Sequence, residues 1–220
     1  MMSHPSGDRK AETRSMIFLA ARKVFSEKGY YKAQIADIVR ESGTSTGSVY
    51  AHFKDKQDLF RQIIRETLDS LRSRLKELSD TSPPGDIRER VSRWQPGFEA
   101  FFDYIEDNPE QVLFIIRGGF GVDEETENTI WEFFRAFASD IAEDVRRWEG
   151  LGYIEGANAV LVGHIITGMC IHVGLSYLLE RQFTREEAIG SLLAVTRSLV
   201  LQYLTDKGRR ELGYLPELKR

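Results

Sequence analysis

The residues of this chain best suited to specific chemistry lie between positions 42 and 56, and what they offer is hydrogen bonding. Thr46, Gly47, Ser48, Tyr50 and His52 crowd into seven residues that carry hydroxyl, phenol and imidazole groups and no acid. Small hydrogen-bonding side chains allow close approach to base edges and phosphates, whereas bulky or acidic ones would hold a duplex away. Lys56 adds a cation shortly afterwards. Catalytic chemistry finds no comparable footing, because no paired-carboxylate motif, nucleophile elbow, phosphate loop or zinc spacing is present. His164 and His172 stand eight residues apart, too far for a two-histidine metal site at i and i+4. Each reads either as lining a pocket or as a buried histidine with its hydrogen bonds satisfied. No metal and no cofactor are expected.

These groups need elements to hold them, and nearly every element reads as helix. Ile17, Ala20, Ala21, Val24 and Phe25 repeat at three and four residues, which predicts a helix over about 11–28 with Gly29 as its stop. A second, short helix carries Ile35, Ile38 and Val39 and ends near Gly43. A third starts at Ser45 or Thr46 and presents Val49 and Phe53. With the turn Ser42-Gly43-Thr44 between them, the second and third helices have the spacing of a helix-turn-helix. The third is too short to persist alone, so its exposed side chains must be rewarded by something they touch. Asp55 caps a fourth helix, with Asp58 in capping-box spacing, that runs without a breaker to about Ser79.

Tyr30 after Gly29, then Ile35-Ala36-Asp37-Ile38, Gly43, Thr46-Gly47-Ser48-Val49-Tyr50, His52-Phe53, Lys56 and Leu59-Phe60 form an ordered set. In that set the chain resembles the TetR-type repressors over residues 11–60. The resemblance implies that Thr46, Gly47 and Ser48 face the major groove. Tyr50 would touch backbone or a thymine methyl, while His52 and Lys56 would meet phosphate; the plain alternative for each is a solvated surface residue. Lys10 and Arg14 are further phosphate candidates on the same terms. Two positions depart from the family pattern: Ala33 stands where a threonine is common, and Thr44 where an apolar residue is usual. Either departure could reflect a module that has lost DNA binding.

Beyond Thr81-Ser82-Pro83-Pro84-Gly85, the clearest breaker, the sequence predicts a helix with Ile87, Val91, Trp94, Phe98, Phe101, Phe102 and Ile105, bent at Pro96-Gly97. A short helix follows Asn108-Pro109, then one carrying Ile130, Phe133, Phe134, Phe137, Ile141, Val145 and Trp148. Two long helices close the chain at about 157–181 and 185–206. The fold class is all-α, with a helix-turn-helix head at 1–60 and a larger helical body at 61–220. Ala159, Gly163, Thr167, Cys170 and Gly174 form a small-residue stripe on one face of the 157–181 helix, and the resemblance places that helix in a homodimer interface. Leu161, Ile165, Gly168, His172 and Leu179 lie opposite. The aromatic residues of the body read as core or as the lining of a pocket for an apolar effector. Phe101, Phe102, Phe133 and Phe137 with His164 and His172 are the candidates, and Arg117 would meet an anionic end or an acidic neighbour.

Composition agrees with this organisation. The 220 residues are 29% charged and 41% hydrophobic, which suits one or two globular units and excludes collagen-like or wholly disordered chains. Residues 1–60 carry a balance of +3 and the remainder −7, so a mildly basic head precedes an acidic body. A single cysteine, Cys170, suits a reducing cytosol. The polar first fifteen residues do not read as a secretory signal. Gly156 to Leu179 lacks any charged residue and is long enough to span a bilayer, but Asn158, His164, Thr167, His172 and Ser176 favour a buried helix. The expectation is therefore a cytoplasmic, homodimeric, DNA-binding repressor released from a palindromic operator by a small apolar or amphipathic effector. The alternatives are a helical interaction module without DNA binding and, last, a small helical enzyme or metal protein.

Overall fold

The computed structural model describes residues 5–79, 87–92, 94–118 and 120–214. The Thr81–Gly85 breaker lies outside the described residues. Among these residues the ordered structure is helical, apart from one isolated bridge between Ile154 and Leu204. The helices are α1 (Pro5–Lys32), α2 (Ile35–Ser42), α3 (Thr46–His52), α4 (Lys56–Ser79), α5 (Ile87–Ser92), α6 (Trp94–Asp107), α7 (Pro109–Gly118), α8 (Glu124–Gly150), α9 (Ala159–Glu180), α10 (Arg185–Leu201) and α11 (Asp206–Glu211).

Local chemistry explains most of the boundaries. Gly29 breaks α1 with φ 73 and ψ 162, a backbone geometry that glycine adopts without steric cost. Gly43 closes α2 in the left-handed region at φ 66. Ser45 caps α3 by accepting the Ser48 N–H, and Asn158 and Thr184 cap α9 and α10 in the same way. The Asp58 N–H donates to Asp55 Oδ1 at 2.7 Å, while the Asp58 carboxylate reaches back past Asp55 to the Lys54 N–H at 2.9 Å.

One boundary differs from the sequence expectation. The last long helix ends at Leu201 rather than near 206. Its continuation is diverted by pairing with residues 153–155: the Glu155 N–H donates to Tyr203 O and the Thr205 N–H to Tyr153 O, both at 3.0 Å. Thr205 then caps α11, which sequence periodicity did not suggest.

The chain divides into two compact units, residues 1–69 with 108–131 and residues 70–107 with 132–220. The first unit therefore contains more than the predicted 1–60 head. Its core joins Phe25, Phe60 and Phe114, with ring centroids 5.2 Å apart for Phe25 and Phe60 and 4.5 Å for Phe60 and Phe114. Phe114 comes from α7, and no local pattern shows that α7 would join α1 and α4. In the second unit, α6, α8, α9 and α10 surround a core that includes Phe98, Phe101, Phe102, Val145, Trp148, Val162 and Leu192.

The small-residue stripe of α9 is turned into this second core, which corrects the dimer-interface expectation for it. Ala159, Thr167 and Cys170 are buried, and a Cβ on Gly163 would lie 2.2 Å from the carbonyl oxygen of Ala138 in α8. A Cβ on Gly174 would lie 2.7 Å from the ring of Phe101. The stripe thus seats α9 closely on α8 and α6 of its own chain. The opposite face, with Leu161, Ile165, Gly168, His172 and Leu179, is exposed. By length and composition α9 is apolar enough to cross a membrane, and 39% of that window is buried inside the protein.

Candidate nucleic-acid interface and body cavity

The helix-turn-helix of the first unit is held from beneath by apolar groups. Val49 and Phe53 are each 1% exposed, and α3 packs against α1 and α2. Because α3 is only seven residues long, this attachment and the Ser45 cap supply what its own hydrogen bonds cannot. The turn is knitted by a pair of hydroxyls, with Ser42 Oγ and Thr44 Oγ1 2.8 Å apart and Ser42 Oγ also donating to Val39 O. Thr44 therefore serves the turn itself, and Ala33 fills a buried site with its methyl group.

The outward face of α3 places the predicted residues as follows. Thr46 and Gly47 are exposed, and Tyr50 is 53% exposed. Ser48 is half-buried, with its hydroxyl 2.9 Å from that of Ser45. His52 is half-buried and tilted against the ring of Phe53. Lys56 is placed differently from the other five. Its ammonium donates to the carbonyl oxygens of Tyr30 at 2.9 Å and Ala33 at 3.0 Å, and lies 4.4 Å from the centroid of the Tyr30 ring. Partial burial lowers its pKa from the ordinary lysine value. Lys56 thus braces the start of α4 against the segment joining α1 and α2. Arg14 is similarly engaged, donating to Gln62 and Glu66 and lying over the rings of Phe18 and Phe53. Lys10 is exposed, as is Lys54 in the α3–α4 connection. Lys54 escaped the sequence reading, although a cation beside a helix-turn-helix was the signal that would have found it.

Asp37 locks α2 from its first turn. Its carboxylate accepts the Gln34 N–H and pairs with Lys28 and Arg40, each at 2.7 Å. The hydrogen bond from Lys28, with those from Gln34 and Arg40, holds its pKa down to about 2.

The second unit holds a partly open cavity of about 180 Å³ between α4, α6, α8, α9 and α10. Its wall includes Leu75, Trp94, Gly97, Phe98, Phe101, Phe137, Ile141, Asp144, Trp148, Ile166, Cys170 and Thr196. Of the predicted pocket residues, Phe101 and Phe137 stand on this wall. Phe102 lies behind it, fully buried, with ring centroids 5.7 Å from Phe101 and 5.3 Å from Tyr177. Phe133 stacks on Phe137 without reaching the cavity. His164 and His172 are exposed on the outer face of α9, away from the wall. The Arg117 side chain lies outside the described residues, and its backbone belongs to α7 in the first unit. The reason for these placements is rotational: the α9 face that meets the cavity is the one bearing Val162, Ile166 and Cys170, and the histidines fall on other faces. Among the described residues no group of three or more His, Cys, Asp or Glu side chains is arranged to hold a metal ion.

Residues 17–63 match the model of the bacterial regulatory proteins of the tetR family. The HTH-type transcriptional activator FasR of Mycolicibacterium smegmatis is 26% identical over 140 residues, covering 64% of this chain and 62% of that protein. The HTH-type transcriptional regulator HbdR of Aromatoleum sp. is 44% identical over 59 residues, covering 27% of this chain and 26% of its own. The chain thus matches less than two thirds of the length of these curated relatives. Among solved structures, FadR from Bacillus subtilis in complex with stearoyl-CoA superposes with a TM-score of 0.70 at 17% identity, covering 83% of this chain and 96% of that one. The fatty acid degradation regulator FadR from Bacillus halodurans gives 0.68 at 15% identity, covering 89% and 96%. At such identities the two structures show a shared fold.

Proposed function

Because this chain belongs to the tetR family of bacterial regulatory proteins, we propose that it is a transcriptional repressor that binds a palindromic operator as a homodimer. A small apolar or amphipathic effector releases it. The observation that carries DNA binding is the α2–α3 geometry, in which Val49 and Phe53 are buried while Thr46, Gly47 and Tyr50 point outward on a capped helix. Tyr50 and the exposed Lys54 are then the clearest backbone contacts. Lys56 has one N–H left after its two carbonyl bonds, so it contributes to phosphate binding only while bracing the head.

The exposed face of α9 supports the dimer. Val160, Leu161, Ile165 and Leu179 are 51%, 55%, 38% and 47% exposed, an apolar surface that a second copy would cover. The two α3 helices of such a dimer would be separated by about 34–36 Å, or a multiple, to meet successive major grooves. Effector release runs through α4. Leu75 stands on the cavity wall, and the other end of the same unbroken helix carries Leu59 and Phe60 in the helix-turn-helix unit. A ligand can shift the equilibrium only by its difference in affinity for the two states, commonly worth about 1–3 kcal/mol.

The test is duplex binding by the full chain across a salt series, with operator sequence selected from random DNA. Affinity should fall steeply as salt rises, because phosphate contacts release counterions. A protein that enriches no sequence and shows no salt-dependent duplex binding would instead be the interaction module.

A further inference from the structure

We propose that two copies of this chain pair through α9 in antiparallel fashion, crossing at Gly168, so that His164 of each copy meets His172 of the other. This deepens the reading of the exposed α9 face as a dimer surface and rests on it.

The outer face of α9 carries the same residues at equal distances on either side of Gly168. Leu161 and Leu175 lie seven positions away, His164 and His172 four, and Ile165 and Ile171 three. A helix turns about 100° per residue, so the leucines and histidines fall within roughly 40° of the line through Gly168 and the isoleucines flank it at roughly 60°. Leu161, His164, Ile165, Gly168 and His172 are exposed, and Ile171 and Leu175 are half-buried.

Two-fold symmetry gives that pattern a use. In an isologous contact, where one residue touches a second, the second touches the first on the other copy. When antiparallel helices cross at one residue, positions equally far before and after it come face to face. Leucine then meets leucine and histidine meets histidine, each twice in the dimer. In a parallel pair every residue meets its own copy whatever the sequence, so the like-for-like spacing would serve nothing. The crossing point itself calls for a small residue, because side-chain size there sets how closely two helices approach. Gly168 is not required by its own core: a Cβ there would meet nothing within 4 Å, in contrast to Gly163 and Gly174.

The chemistry of the face agrees. From Gly156 to Leu179 no residue is charged, so no like charges oppose each other along the seam. Helix α10, which packs on α9, presents Gly190, Ser191, Ala194, Val195 and Ser198 to solvent, a largely small and uncharged flank. A neutral imidazole has one donor and one acceptor nitrogen, so paired histidines satisfy each other once covered from water.

The experiment is disulfide mapping on the full chain, with His164→Cys and His172→Cys made separately and co-expressed under different tags. Two cysteines at position 164 would stand roughly 12 Å apart along the helix axes, beyond disulfide reach, whereas 164 and 172 lie side by side. Mild oxidation should therefore link the two differently tagged chains and leave each variant, expressed alone, largely unlinked. Both positions are exposed, so neither change disturbs the fold. Cys170 stays silent, because it is buried and its thiol is pushed up to about 12. Gly168→Leu should raise the dimer dissociation constant about tenfold or more while keeping the helical signal, since a Cβ there is unopposed in its own chain. The register is overturned if either cysteine variant alone links as fully as the mixture, if the mixture does not link, or if Gly168→Leu dimerises as tightly as wild type. Wild type that sediments as a monomer would sink the dimer reading itself, and this register with it.

Discussion

Tyr50 and Lys56 stand six residues apart and were expected to do similar work, yet their surroundings separate them. Tyr50 projects from α3 with half its surface in water, so Tyr50→Ala should lower operator affinity while leaving the melting temperature unchanged. Lys56 donates to two carbonyls of the α1–α2 segment. Lys56→Ala should therefore lower both, with a stability loss of about 1–3 kcal/mol from the unpaired carbonyls. Parallel denaturation and binding curves for the two variants separate these outcomes; equal stability in both would remove the bracing role from Lys56. Asp37 makes a prediction in pH. Its folded pKa of about 2 lies below the ordinary 3.8, so its contribution is present above pH 3.8 and is lost as the pH falls through 2. Denaturation of wild type and Asp37→Asn should show a stability gap at pH 6 that closes towards pH 2.

Helix α9 shows how one element can answer to two demands. It is apolar on every side, so sequence periodicity alone cannot say which side faces its own core. The glycines decide it, since Gly163 and Gly174 lie where any side chain would meet Ala138 or Phe101. Gly163→Ala should lower the melting temperature sharply, because the new Cβ would fall 2.2 Å from a backbone oxygen that cannot move aside. The variant should remain dimeric to whatever extent it folds. An unchanged melting temperature would mean that α8 and α9 are not so closely seated.

At the scale of the whole molecule, association is the property to test, since an apolar face of this extent on one chain marks a binding surface. Wild type should sediment as a dimer at micromolar concentration, and Ile165→Glu should shift it to monomer while preserving the helical signal. Operator affinity should fall with the same variant, because a monomer holds a single recognition helix. A monomeric wild-type protein would leave the α9 face without its proposed occupant. The helix-turn-helix was legible in the sequence because its signals are local: Gly29 and Gly43 end helices, Ser45 caps one, and Val49 and Phe53 recur at helical spacing. The all-α class followed for the same reason. Three-dimensional packing alone decided that Phe114 joins Phe25 and Phe60, that Lys56 turns inward, and which flank of α9 is buried. It also decided that Thr196 and Asp144, rather than the two histidines, line the cavity. Each of these depends on partners distant in the chain, and helical periodicity fixes the spacing of side chains along a face but not the neighbour that face will meet.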